Sequence, residues 1–277
     1  MNTYKLTRNL LVGAVLSLAV GTAFAGIANT KHNLGSTGVP PNSTNTFDGT
    51  DEICVFCHTP HGADTSANPP LWNRILPSPA SFTTYDSLGT STLDGEVLAV
   101  GSVSIACLSC HDGTQAMNVM INAPGSGNFD PASGFTLGGT WTGPPATATP
   151  TGSLNYAVAS IVNLGKDLQN DHPIGVEYAG GGCGGLPSPC SPLLGNTADP
   201  DFKDAVRTVA GVDQWFVDVD ADTFRDKTDM ILYTRAFTAG SGPSVECGSC
   251  HDPHTESDLF LRLDNIGSAV CLACHIK

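Results

Sequence analysis

"CVFCHTPHG" at residues 54–62 places two cysteines three positions apart, a histidine directly behind them and a second histidine three positions further on. A C-x-x-C-H run is an attachment signature for c-type haem. Two thiols on one helical turn add across the two vinyl groups of one porphyrin, and the adjoining imidazole reaches the iron. Besides Cys54-Cys57-His58, the chain carries Cys107-Cys110-His111, Cys247-Cys250-His251 and Cys271-Cys274-His275, which together take eight of ten cysteines. Zinc or redox chemistry is the competing reading of any one C-x-x-C pair. A zinc site needs no histidine at that next position, and four repetitions of it favour four covalently bound haem c groups.

Four histidines lie outside these runs: His32, His61, His172 and His254. Proximal ligation by His58, His111, His251 and His275 leaves four open iron faces, so the numbers match. The tether from His58 to His61, or from His251 to His254, is too short to pass the porphyrin rim, so each second histidine must serve a different iron or none. His61 and His254 are expected to serve the second haem of their own halves of the chain. Methionine is the other common distal ligand, but Met117, Met120 and Met230 sit in apolar stretches that read as core. Bis-histidine, low-spin irons are expected. The remaining Cys183 and Cys190 flank "GGLPSP" without a following histidine, as a short-loop disulfide or as free thiols.

The order repeats. "HNLG" at 32–35 precedes "CVFCHTPH" and a plain attachment run; "HPIG" at 172–175 precedes "CGSCHDPH" and another. Two di-haem modules are expected, at 26–125 and 160–277, joined by a surface loop or linker over 126–159 that contains "GGTWTGPPATATPTGS". With 31 Gly, 19 Pro and only 14% charged residues, the fold class is mostly irregular coil with few short helices and strands, organised around the four haems. A helix is predicted near 199–211 and strands near "EVLAVGSVSIA" and "LFLRL". Trp72, Trp141 and Trp215 read as core residues, with stacking on haem edges as the alternative. "DVDADTFRDKTD" at 218–229 starts like a calcium loop, but Thr223 replaces its glycine and Asp229 its glutamate, so a solvated acidic face is preferred.

Residues 1–25 read as a secretory signal: Lys5 and Arg8, an apolar run from Leu10 to Val20, then Ala23-Phe24-Ala25. No membrane insertion is expected after its removal. Cleavage removes two basic and no acidic residues, so 12 − 2 = 10 basic against 26 acidic residues gives −16. Such a surface excludes nucleic acid as a partner.

The N-terminal histidine, "CVFCHTPHG", "PPLWNR" at 69–74 and four attachment runs in an exported chain together resemble the extracellular tetrahaem cytochromes of metal-reducing bacteria, most nearly the OmcE-type nanowire filaments. The resemblance implies haems in one continuous row of alternating parallel and T-shaped pairs, and a distal ligand supplied across subunits. On this chain that ligand would be His32. The implied function is extracellular electron transfer to minerals, electrodes or other redox proteins by a self-associating filament, with no catalysis at the protein. A monomeric periplasmic carrier is the alternative, differing in whether His32 is satisfied within its own chain. A multihaem reductase needs an open sixth position at iron, which the ligand count denies.

Overall fold

The computed structural model describes residues 26–40, 44–156, 161–181, 199–210 and 212–276. The signal segment and Cys183 and Cys190 lie outside the described residues. Most of the chain is turn and irregular structure, punctuated by short 3-10 turns and small strands. Among the described residues, no helix is long and apolar enough to cross a membrane.

In the first half, β1 (Thr46–Phe47) finds its antiparallel partner much later in the chain, in β4 (Trp141–Thr142), and β2 (Val119–Met120) pairs with β3 (Phe135–Thr136). The helix α1 (Ser102–His111) carries the second attachment run at its C-terminal end. Gly113, in the left-handed region at φ 72°, stops it, and its N–H returns to the Cys110 carbonyl. β-Branched residues in 96–106 predict a strand there. Helix wins from Ser102 onward because no Gly or Pro interrupts the chain between Gly101 and the turn that the attachment run requires, while only Val97 makes a β-bridge, to Val176.

The described residues of the stretch expected as a surface loop or linker, 126–156, pack on the first half. Trp141 is 5% exposed, donates from Nε1 to Asn118, and lies among Phe47, Phe56 and Met120. Its indole needs both apolar cover and a partner for its N–H, and this loop supplies them by folding back on the first half. Met117 and Met120 are core here, and Met230 is core in the second half.

The second half contains a five-stranded antiparallel sheet in the order β5 (Val176–Glu177), β9 (Gly240–Val245), β8 (Met230–Phe237), β7 (Val212–Val217), β6 (Val206–Ala210). The predicted helix over 199–211 is therefore a strand at its C-terminal end. "VRTVA" is β-branched at three of five positions, and pairing of Val206 with Phe216 outweighs any local helical tendency. "LFLRL" likewise forms a 3-10 turn over Asp258–Phe260 and one bridge, Leu261 to His251, rather than a strand.

Trp215, Val217, Met230 and Leu232 project from one face of this sheet onto Tyr178, Ala205 and Ala273. Phe216 and Ile231, offset by one position, are also buried, so the sheet is covered on both faces. Val217→Ala should therefore cost about 2 kcal/mol, from two buried carbons at about 0.8 kcal/mol each plus a small cavity. Guanidinium unfolding followed by far-UV circular dichroism measures it.

The two halves are interlocked. Thr83 N–H bonds the Lys166 carbonyl and the Thr83 carbonyl accepts from Leu168, Leu98 N–H bonds Gly175, and Glu96 accepts from the N–H and hydroxyl of Thr238. Residues 161–176, expected to open the second module, pack on the first through Leu164, Leu168 and Ile174.

Candidate functional site

Each attachment run closes one helical turn. The N–H of His58 bonds Cys54 at 2.8 Å, that of His251 bonds Cys247 at 3.0 Å and that of His275 bonds Cys271 at 2.9 Å, while His111 ends α1. Both cysteines and the histidine of a run thus occupy one turn. No disulfide joins any of these eight cysteines.

The runs are contiguous in space. Cys57 and Cys110 border the same apolar cluster in the first half, Cys250 and Cys274 border the cluster under the sheet, and Cys107 lies beside Cys247 between the halves. Burial pushes the Cys57 and Cys274 thiols up to about 12 and Cys250 up to about 11. These thiols are protonated, apolar-facing groups.

Three of the four motif histidines are oriented alike. Their Nδ1 atoms stand 2.8 Å from backbone carbonyls: His58 from Pro70, His111 from Val162, His251 from Leu259. A carbonyl only accepts, so Nδ1 carries the proton and Nε2 presents its lone pair, the tautomer that a metal-ligating imidazole requires. His275 lies with its ring centre 4.4 Å from that of Phe202.

The braces on His58 and His251 are one device used twice. His58 bridges Trp72 and His251 bridges Leu261. Leu71 and Phe260, just before those bridges, are left-handed at φ 59° and φ 58°. Their carbonyls accept from Thr59 and Asp252, at 2.9 and 2.8 Å, and the N–H groups of Asn73 and Arg262 return to Cys57 and Cys250, both at 2.9 Å. "PLWN" and "LFLR" are structurally equivalent, although they share little sequence.

Two of the four extra histidines meet motif histidines. The rings of His58 and His254 are centred 6.2 Å apart with planes 17° from parallel, and those of His32 and His111 are centred 6.3 Å apart at 66°. Metal–imidazole bonds of about 2.0 Å place two imidazoles trans across one ion with centres about 6.3 Å apart, so both pairs fit a bis-histidine iron. Desolvation, then the neighbouring His111, push His32 down to about 4, and burial pushes His111 down too. His32 is fixed from its other side by Phe260, 4.2 Å away and 11° from parallel.

His254, expected to serve the second run of its own half, lies against the first run of the other half, because Gly26 N–H holds the His254 carbonyl and Asn29 holds Glu256, drawing that loop onto the N-terminal segment. His32, expected to reach a neighbouring subunit, lies within its own chain against His111. Among the described residues, no ring contact brings His61 or His172 against a motif histidine. Both are exposed, and His172 Nδ1 stands 3.0 Å from the carbonyl of the next residue, Pro173. Asp218, Asp220 and Asp222 can each place one carboxylate oxygen within 4.8 Å of the others. Asp218 already accepts from the N–H groups of Ala221 and Thr223.

Sequence reasoning missed the carbonyls of Pro70, Val162 and Leu259, which carry no side-chain signature, and also Arg74. A family model of the doubled CXXCH motif matches residues 241–277. No curated protein matches the chain. The doubled motif is consistent with covalently bound haem c and with a multihaem cytochrome electron carrier.

Proposed function

We propose that this chain is an exported tetrahaem electron-transfer protein whose irons are sealed by paired histidines and which performs no catalysis of its own. Ring centres 6.2 and 6.3 Å apart in two independent histidine pairs carry the reading. Cys54, Cys57, Cys107, Cys110, Cys247, Cys250, Cys271 and Cys274 would hold the four groups, which supply one-electron redox chemistry when bound. The protein's part is to fix the imidazole tautomers, exclude exogenous ligands and keep neighbouring sites close. The internal repeat assigns His61 to the iron of His251 by analogy with His254 on His58, and His172 to the iron of His275 by analogy with His32 on His111.

The placement of His32 against His111 of its own chain favours a self-sufficient carrier, released to the periplasm or cell surface. Polymerisation into an extracellular filament through His32 would require the N-terminal arm to leave Phe260 and His111 and dock on another copy. Electron microscopy of shed extracellular material separates the two. The shared reading is tested on intact protein by mass spectrometry and optical spectra. Four covalent haems, a six-coordinate low-spin spectrum and little carbon monoxide uptake by the reduced form are expected. Extensive high-spin iron in intact material would overturn it.

A further inference from the structure

Among the described residues of the first half, Arg74 is the one large cation sealed inside: it is 0% exposed. Its Nη1 donates to the Met117 carbonyl at 2.8 Å, and its Nη2 to Gln115 Oε1 at 2.8 Å, to the Ala116 carbonyl at 3.0 Å and to the Ser109 carbonyl at 3.4 Å. Every acceptor is neutral. Nε is buried with no hydrogen-bond partner, and among the described residues no carboxylate lies within ion-pair distance. Burying a guanidinium without a counter-ion is unfavourable, and a cage of carbonyls offsets only part of the cost. An apolar residue would serve packing better, so the charge itself is the feature to explain.

We propose that Arg74 raises the reduction potentials of the irons held by the first two attachment runs above those of the other two, giving electrons a preferred direction from the second half to the first. The inference rests on the tetrahaem reading. Arg74 lies between the runs, and its field reaches both inner thiols, Cys57 and Cys110. Reduction adds one negative charge at iron, which a nearby cation in a low-dielectric interior stabilises. Asp112, 4% exposed and beside His111, works against it at the second run, so the first run feels the larger net effect. In the equivalent brace of the second half, Arg262 takes the place of Asn73 and Leu263 that of Arg74. Arg262 and Lys203 do face the second-half thiols, but the first is half-buried and the second exposed, so water and salt screen them.

The test compares Arg74→Met and Arg74→Lys holoproteins by optical redox titration, after mass spectrometry has confirmed four haems in each. In Arg74→Met the highest-potential couples should fall by at least about tenfold in one-electron equilibrium constant, about 59 mV, while the lowest couples stay in place. Arg74→Lys should hold them near the wild-type values. Unmoved midpoints in Arg74→Met would overturn the proposal, as would an equal fall in both variants, which would mean shape rather than charge. Should Arg74→Met fail to accumulate, the wild-type protein still decides by stepwise reduction followed by NMR. Haem methyl signals close to Phe56 or Trp141 should change before those close to Tyr178 or Phe202, and the reverse order would refute the assignment. Fewer than four haems in the wild type would instead sink the tetrahaem reading, and this proposal with it.

Discussion

His254→Ala should open one iron to carbon monoxide while leaving all four haems attached. The substitution touches none of the eight cysteines of the attachment runs, so on the tetrahaem reading haem content is unchanged. It removes the imidazole centred 6.2 Å from His58, and the tethers make replacement difficult. His61 leaves the chain only three residues after His58 and cannot round the porphyrin rim, while His32 is wedged between His111 and Phe260. The reduced variant should therefore take up about one carbon monoxide per chain and show a matching loss of low-spin signal, against little in the wild type. Its cross-half character has its own check. Replacing Cys54 and Cys57 by serine in the same chain removes the haem held there, and the new binding site should vanish with it. A site that survives would put His254 on another iron, and uptake no greater than in the wild type would show that His254 is not a ligand at all.

What made this pairing illegible in the sequence was its length scale. The motif turns were readable because thioether chemistry fixes the spacing of two cysteines and a histidine within one turn, and the structure gives those turns. The rim argument could say which iron His254 does not serve. It could not say which it does, because that depends on the contacts of Gly26 with His254 and of Asn29 with Glu256, made between the two ends of the described chain. Secondary structure failed for a related reason. "GSGPSV" at 240–245 carries glycine and proline, which are depleted in strands, yet it is β9. Pro243 is tolerated because β5 pairs only with Ser244 and Val245, so at Pro243 the strand is still at the sheet edge. "MILYTRAF", rich in apolar and β-branched residues and flanked by turn residues, was the strand signal available for β8. The repeat of attachment runs was legible, but the independence of two modules did not follow from it, because polar residues deep in the joint bind the halves together.

Glu246→Ala should be among the most destabilising single changes in the protein, costing roughly 3–5 kcal/mol of a total that for most domains is about 5–15 kcal/mol. Glu246 is 1% exposed and stands where the halves meet. Its Oε1 accepts from Arg235 at 2.7 Å and Ser244 at 3.1 Å, and its Oε2 accepts from Ser104 of α1 at 2.5 Å. The Ser104 hydroxyl in turn accepts from Cys247 N–H at 3.0 Å, the residue that opens the third attachment run. Truncation to alanine orphans three donors and strands the Arg235 guanidinium, whose side chain is only 17% exposed. Glu246→Gln keeps the shape and should lose less. Burial raises the Glu246 carboxyl above its ordinary range despite these donors. A raised folded value means ionisation costs more in the fold than in the unfolded chain. The residue's contribution is therefore complete below its unfolded value and declines as pH rises through the folded one, so mild acid should not by itself release this joint. Guanidinium unfolding of the holoprotein, followed by far-UV circular dichroism, measures the loss. A change below about 1 kcal/mol for Glu246→Ala, the size of an ordinary surface substitution, would mean that the halves fold independently of this contact.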